Sequence, residues 1–170
     1  MYKVIISLII FTSSLFSLSV GESAKPLILS DKDGGRVDGT PWNSQMIKNK
    51  VYLIFYVDPD EKDTNNALSE ALKEAKFDPQ KYTSIAIVNL AATWMPNFAI
   101  EAKLKAKQKQ YPNAIYVKDK TKKLVLEWGL KDDSSDILLF DKQGILIYKY
   151  EGKLNNEEIQ KVLKLIMENI

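Results

Sequence analysis

Two acidic stretches carry the side chains best suited to chemistry in this chain. The first, Asp58-Pro59-Asp60-Glu61-Lys62-Asp63, follows the apolar run Val51 to Val57. The second, Asp132-Asp133-Ser134-Ser135-Asp136, precedes the apolar run that starts at Ile137. Carboxylates at such density can hold a cation or dock a basic peptide. A pair of them, one raised in pKa and one ionised, can also hydrolyse a glycosidic bond. The bland alternative is that acids near a helix start favour its dipole and keep a surface solvated. Asp58-x-Asp60-x-x-Asp63 lacks the glycine and distal glutamate of an EF-hand calcium loop. No dedicated metal motif and no cofactor motif is therefore expected.

The rest of the composition excludes a great deal. The 170 residues contain no cysteine and no histidine. Disulfides, thiolate nucleophiles, Fe–S clusters and a cysteine-linked lipid anchor are ruled out, as are the Ser-His-Asp triad and histidine-based zinc or haem sites. Acid–base work is left to Asp, Glu, Lys or Tyr. The formal net charge is +2, from 24 basic and 22 acidic side chains, which gives no reason to expect a nucleic-acid partner. The apolar share of 45% supports a buried core and one domain.

The N-terminus reads as an export leader. Lys3 is followed by apolar residues from Val4 to Phe11 and on to Phe16, and then by the small residues Ser17, Ser19 and Gly21. That layout suits a signal peptide spanning residues 1–21, cleaved after Ser19 or Gly21, with residues 22–170 forming the mature domain. An uncleaved anchor is the alternative, but the stretch is short and broken by hydroxyl residues. The expected location is the periplasm, with no membrane span in the mature chain.

The elements that must position the acids follow from periodicity. Pro26 to Leu29 predicts a short strand, and Asp31 to Gly35 a turn that is not a phosphate loop. Thr40-Pro41-Trp42-Asn43-Ser44 suggests the start of a short helix with Pro41 in its first turn. Val51 to Val57 is continuously apolar, as a strand buried on both faces requires. Thr64 or Asn65 can cap a helix to about Ala75. Tyr82 to Leu90 is a second buried strand. A helix opens at Asn97 or Phe98 and stops at Tyr111-Pro112. Ala114 to Val117 is a strand, and Lys118 to Lys123 a charged turn. Ile137 to Phe140 and Ile145 to Tyr150 form a hairpin around Asp141-Lys142-Gln143-Gly144. Asn155 caps a final helix with Ile159, Val162, Leu163 and Ile166 on one stripe.

Trp94 and Phe98 are expected to staple their helix onto the core, although exposed aromatics there could instead anchor a partner. Trp42 and Trp128 are expected in the core or at its edge. Lys103, Lys105, Lys107 and Lys109 step by two, which spreads them around a helix and makes no phosphate groove.

Alternating strands and helices that close with a hairpin and a helix argue an α/β, thioredoxin-like central mixed sheet flanked by helices, in a single domain. A flavodoxin-like fold would not normally end in an antiparallel hairpin. Further residues then match a family. Thr40-Pro41-Trp42-Asn43-Ser44 with Lys50-Val51, Ile87-Val88-Asn89, Lys109-Gln110-Tyr111-Pro112, Asp133-Ser134-Ser135, Asp141-Lys142-Gln143-Gly144 and Asn156-Glu157-Glu158 resemble, in order and spacing, the YtfJ family. The resemblance spans Pro26 to the end. It implies an exported thioredoxin-like protein without an established activity. A "transcriptional regulator" label that some members carry conflicts with an export leader.

Thioredoxin-type catalysis needs a C-x-x-C at a helix start and a cis-proline opposite. Here the corresponding stretches are the two acidic ones, with no sulfur in the first and no proline in the second. In that fold the two loops meet, so Asp58, Asp60, Glu61, Asp63, Asp132, Asp133 and Asp136 are expected to converge on one rim. The resulting expectation is a non-enzymatic binding or interaction module whose partner is an envelope protein or a small ligand. A carboxylate enzyme or a cation-binding protein is the alternative at the same rim.

Overall fold

The computed structural model describes residues 17–170. Among these residues, eight strands and four α-helices run in the order β1 (Ile28–Leu29), β2 (Gly34–Arg36), β3 (Trp42–Asn43), β4 (Val51–Val57), α1 (Asn66–Ala75), β5 (Tyr82–Asn89), α2 (Asn97–Gln110), β6 (Ile115–Asp119), α3 (Lys123–Trp128), β7 (Ser135–Phe140), β8 (Leu146–Glu151) and α4 (Asn156–Asn169). Six strands make a mixed sheet in the order β2-β6-β5-β4-β7-β8, and β1 pairs with β3 beside it. The strands β4, β5 and β6 are parallel, while β7 and β8 return antiparallel.

The side chains of β4 alternate between two cores, as a strand's two-residue period demands. Tyr52, Ile54 and Tyr56 join Trp42, Trp128, Phe140 and Leu124 on one face. Val51 and Leu53 meet Leu68 and Leu72 of α1 and Ile159, Val162 and Ile166 of α4 on the other. Farther along that second face, Ile100 and Leu104 of α2 pack on Val37, Val88 and Leu90. Two apolar faces explain why β4 reads as an unbroken run. The expected fold class is the observed one, and Trp42 and Trp128 lie in the core.

Several local expectations are corrected. Trp42–Asn43 is a strand, and only the 3-10 turn Ser44–Met46 follows it, so Pro41 opens no helix. Pairing with Ile28–Leu29 holds that segment extended. The segment from Asp31 is a 3-10 turn that runs into β2, whose Gly34 lies so close to β6 that a Cβ there would stand 1.9 Å from the Lys118 carbonyl oxygen. Lys118 and Asp119 belong to β6, so the expected charged turn shortens to residues 120–122, and the unexpected helix α3 starts at Lys123. Asn65 precedes α1 but makes no side-chain cap. Its amide instead donates to Ser135 Oγ (2.9 Å) and the Gly152 carbonyl (3.0 Å) and accepts from Leu154 N (3.0 Å), tying α1 to β7 and to the approach to α4. Asn155 does cap α4, accepting from Glu158 N at 2.9 Å.

Residues 1–16, which hold most of the expected leader (residues 1–21), lie outside the described residues. The chain from Ser17 to Ala24 packs along the β7–β8 hairpin, and Leu18 is buried in the first core. Among the described residues, no helix is long and apolar enough to cross a membrane.

Candidate functional site at the acidic rim

The parallel register sets the rim. Val57 pairs with Val88 and Asn89 with Asp119, so Asp58, Asn89 and Asp119 lie side by side where β4, β5 and β6 end. The loop before β7 reaches the same edge, because Val57 pairs antiparallel with Ser135.

Asp58 is 2% exposed. Its N–H donates to the Ser134 carbonyl (3.0 Å), and its Oδ2 accepts from Ser134 N (3.0 Å), which clamps the two loops together. Its Oδ1 is buried and makes no direct hydrogen bond among the described residues. Burial pushes the Asp58 carboxyl up to about 6; hydrogen bonding from the Ser134 N–H and from the Asn89 side-chain amide opposes this, and the charges of Asp132 and Asp133 add to it.

Asp132 has the opposite environment. Its Oδ2 accepts from Lys122 Nζ (2.7 Å) and its Oδ1 from Asn89 Nδ2 (3.0 Å). The lysine holds Asp132 below the ordinary carboxylate range and is itself raised by the pairing. Asp133, exposed, stands beside them on a left-handed backbone, φ 51°. One carboxylate oxygen from each of Asp58, Asp132 and Asp133 lies within 4.8 Å of the others.

The other four expected acids do not join this cluster. Asp60 is exposed. Glu61 accepts from the Thr64 hydroxyl, and Asp63 pairs with Lys62 (2.7 Å) and Asn66 (3.2 Å). Asp60 and Glu61 lie in the 3-10 turn Pro59–Glu61 that leads toward α1. Asp136 is fully buried within β7, where it accepts from Lys131 N (2.8 Å) and Ser134 Oγ (3.1 Å). It braces the loop from behind.

Three residues missed from sequence complete the rim. Asn89 is fully buried and orients Asp132. Lys122 supplies the counter-charge. Asp119, fully buried, accepts from Lys123 N (2.9 Å), Leu124 N (3.0 Å) and the Tyr56 hydroxyl (3.2 Å), anchoring the start of α3 and with it Lys122. The signal was a polar residue closing each apolar strand, Asn89 after Ile87-Val88 and Asp119 after Val117.

Trp94 and Phe98, expected to pack inward, are 90% and 77% exposed. Met95 takes the packing role instead, against the core that holds Ile100 and Leu104. Lys103, Lys105, Lys107 and Lys109 are all exposed, spread along α2.

A mixed sheet with this order, and two polar loops where a thiol pair would sit, defines a thioredoxin-like protein without thiol chemistry. The pneumococcal exposed lipoprotein thioredoxin Etrx1 of Streptococcus pneumoniae shares the fold, with a TM-score of 0.58 at 20% identity over 83% of this chain and 99% of that one. The chain belongs to the family described as "Bacterial protein of unknown function (YtfJ_HI0045)", which matches residues 15–169. It is 26% identical to the uncharacterized protein YtfJ of Escherichia coli K12, over 91% of this chain and 88% of that one. It is 30% identical to an uncharacterized protein of Haemophilus influenzae Rd, over 90% and 83%.

Proposed function

We propose that this chain is a non-thiol binding module of the bacterial cell envelope, and that its ligand is a small cation seated among Asp58, Asp132 and Asp133. The observation that carries the reading is the convergence of one oxygen from each of three carboxylates, where the Oδ1 of Asp58 is buried and makes no direct hydrogen bond among the described residues. A buried acceptor left unpaired costs stability unless something completes it. At 2% exposure, Asp58 offers almost no surface on which a peptide or sugar could dock. Oxygens on one calcium ion stand at most about 5 Å apart, twice the usual Ca–O distance. The observed spacing, within 4.8 Å, fits that class of hard divalent cation. Three carboxylates and Lys122 leave a local charge that a divalent ion balances.

The raised Asp58 beside the lowered Asp132 is also the split that acid–base catalysis requires. The burial of Asp58 keeps it from substrate, so binding is the stronger reading. Calorimetric titration of the chelator-treated full-length protein with calcium tests it. Saturable heat is expected, lost in Asp58→Asn. No heat at millimolar calcium overturns the reading.

A further inference from the structure

We infer that the export leader ends on the N-terminal side of Leu18, so that the mature chain keeps the segment from Leu18 to Ala24 on which its fold is built. The inference rests on the export part of the reading above. Judged by small residues alone, cleavage falls after Ser19 or Gly21. Either cut would remove Leu18, whose side chain is 1% exposed in the core that contains Trp42, Trp128 and Phe140.

The segment is bonded along its length. Leu18 N donates to the Trp128 carbonyl (2.8 Å), and Gly21 N to the Leu146 carbonyl (2.8 Å). Leu146 N donates back to the Glu22 carbonyl (2.8 Å), Ala24 N donates to the Gly144 carbonyl (3.1 Å), and Ser23 bridges Ile145 antiparallel. These bonds cover the start of β8, which would otherwise be an open edge.

The receiving surface is shaped for the segment. Gly129 sits at φ +63°, and a Cβ there would stand 2.8 Å from Ser17 Cα, so glycine is what lets the two backbones approach. Lys149 Nζ donates to Ser17 Oγ at 3.0 Å, and Ser17 Oγ donates to the Gly129 carbonyl at 3.2 Å. The family match independently begins at residue 15 rather than beyond Gly21. A cut after Ser14 keeps Ser17 and puts Thr12 and Ser14 at the two outer positions of the A-x-A pattern of a signal peptidase site, whereas a cut after Ser17 would put Leu15 at the first of them.

The test expresses the full chain in a Gram-negative host, separates periplasm from cytoplasm, and determines the N-terminus by intact mass and Edman sequencing. A periplasmic chain starting at or before Leu18, its leader removed, is the expected result. A periplasmic chain starting at Val20 or Glu22 overturns the inference while leaving export intact. An intact Met1 overturns it as well, and finding that chain only in the cytoplasm removes the export reading too. The structural premise is checked separately in the full chain. Leu18→Ala should lower the thermal midpoint by about 10 °C, and an unchanged midpoint overturns it.

Discussion

At the scale of single residues, Asp119 shows how a buried charge shapes a site without facing it. Its carboxylate gathers two N–H groups from the first turn of α3 and the Tyr56 hydroxyl. Beside that charge, and buried, Tyr56 is pushed well above the ordinary tyrosine range, burial being the larger cause. Asp119→Ala would leave those donors unpaired in the interior. A lost helix cap costs about 1 kcal/mol and each stranded buried donor about 1–3 kcal/mol. Partial relaxation makes a net loss of about 2–4 kcal/mol the expected outcome of urea unfolding. Calcium affinity should change with it, because Lys122 sits just before α3 and loses its fixed position on Asp132. Loss of stability with unchanged affinity would show that α3 does not position the rim.

At the scale of elements, α2 separates packing from mere aromatic content. The exposure of Trp94 and Phe98 means that Trp94→Ser with Phe98→Ser should change unfolding stability by no more than about 0.5 kcal/mol. Trp128→Ala, which opens the first core, should cost about 3–5 kcal/mol. A large loss in the double variant would restore the stapling role. The contrast also shows what the sequence made legible. β4, β5, the β7–β8 hairpin and α4 announce themselves because their apolar period matches the faces they bury. α3 does not: it has six residues, it follows a lysine-rich stretch, and its capping carboxylate lies four residues before Lys123, at the end of a strand. β2 is hidden by Gly34 and Gly35, which read as turn but serve close approach to β6. At the rim, acidity was visible, but direction was not. The meeting of the two loops was expected, but only the pairing of β4 with β7 shows which acids face each other: Asp58 meets Asp132 and Asp133, while Asp60 and Asp63 are exposed and Glu61 bonds Thr64.

At the scale of the whole molecule, the carboxylates set how stability depends on pH. Asp136 is raised mainly by burial and further by Glu151, while the Lys131 N–H, Ser134 hydroxyl and Lys149 charge oppose the shift. A group whose folded pKa exceeds its unfolded value contributes stability that is fully present below the unfolded pKa, about 4, and lost as pH rises through the folded one. Asp58, raised for the same principal reason, adds to the same slope. Asp33, Asp38, Asp63, Glu101 and Asp132 are lowered, so their contributions are lost only as pH falls below the ordinary carboxylate range. The two windows do not overlap, and the thermal midpoint should peak on the acid side of neutrality. Asp136→Asn isolates one component. Its amide oxygen still accepts from Lys131 N and its amide nitrogen can donate to Ser134 Oγ, so packing and hydrogen bonds survive while the buried charge does not. Differential scanning calorimetry from pH 4 to 8 should show a shallower fall in midpoint for the variant, with a midpoint at pH 8 equal to or above the parent's. A slope as steep as the parent's would mean that the Asp136 carboxylate is solvated in the folded chain.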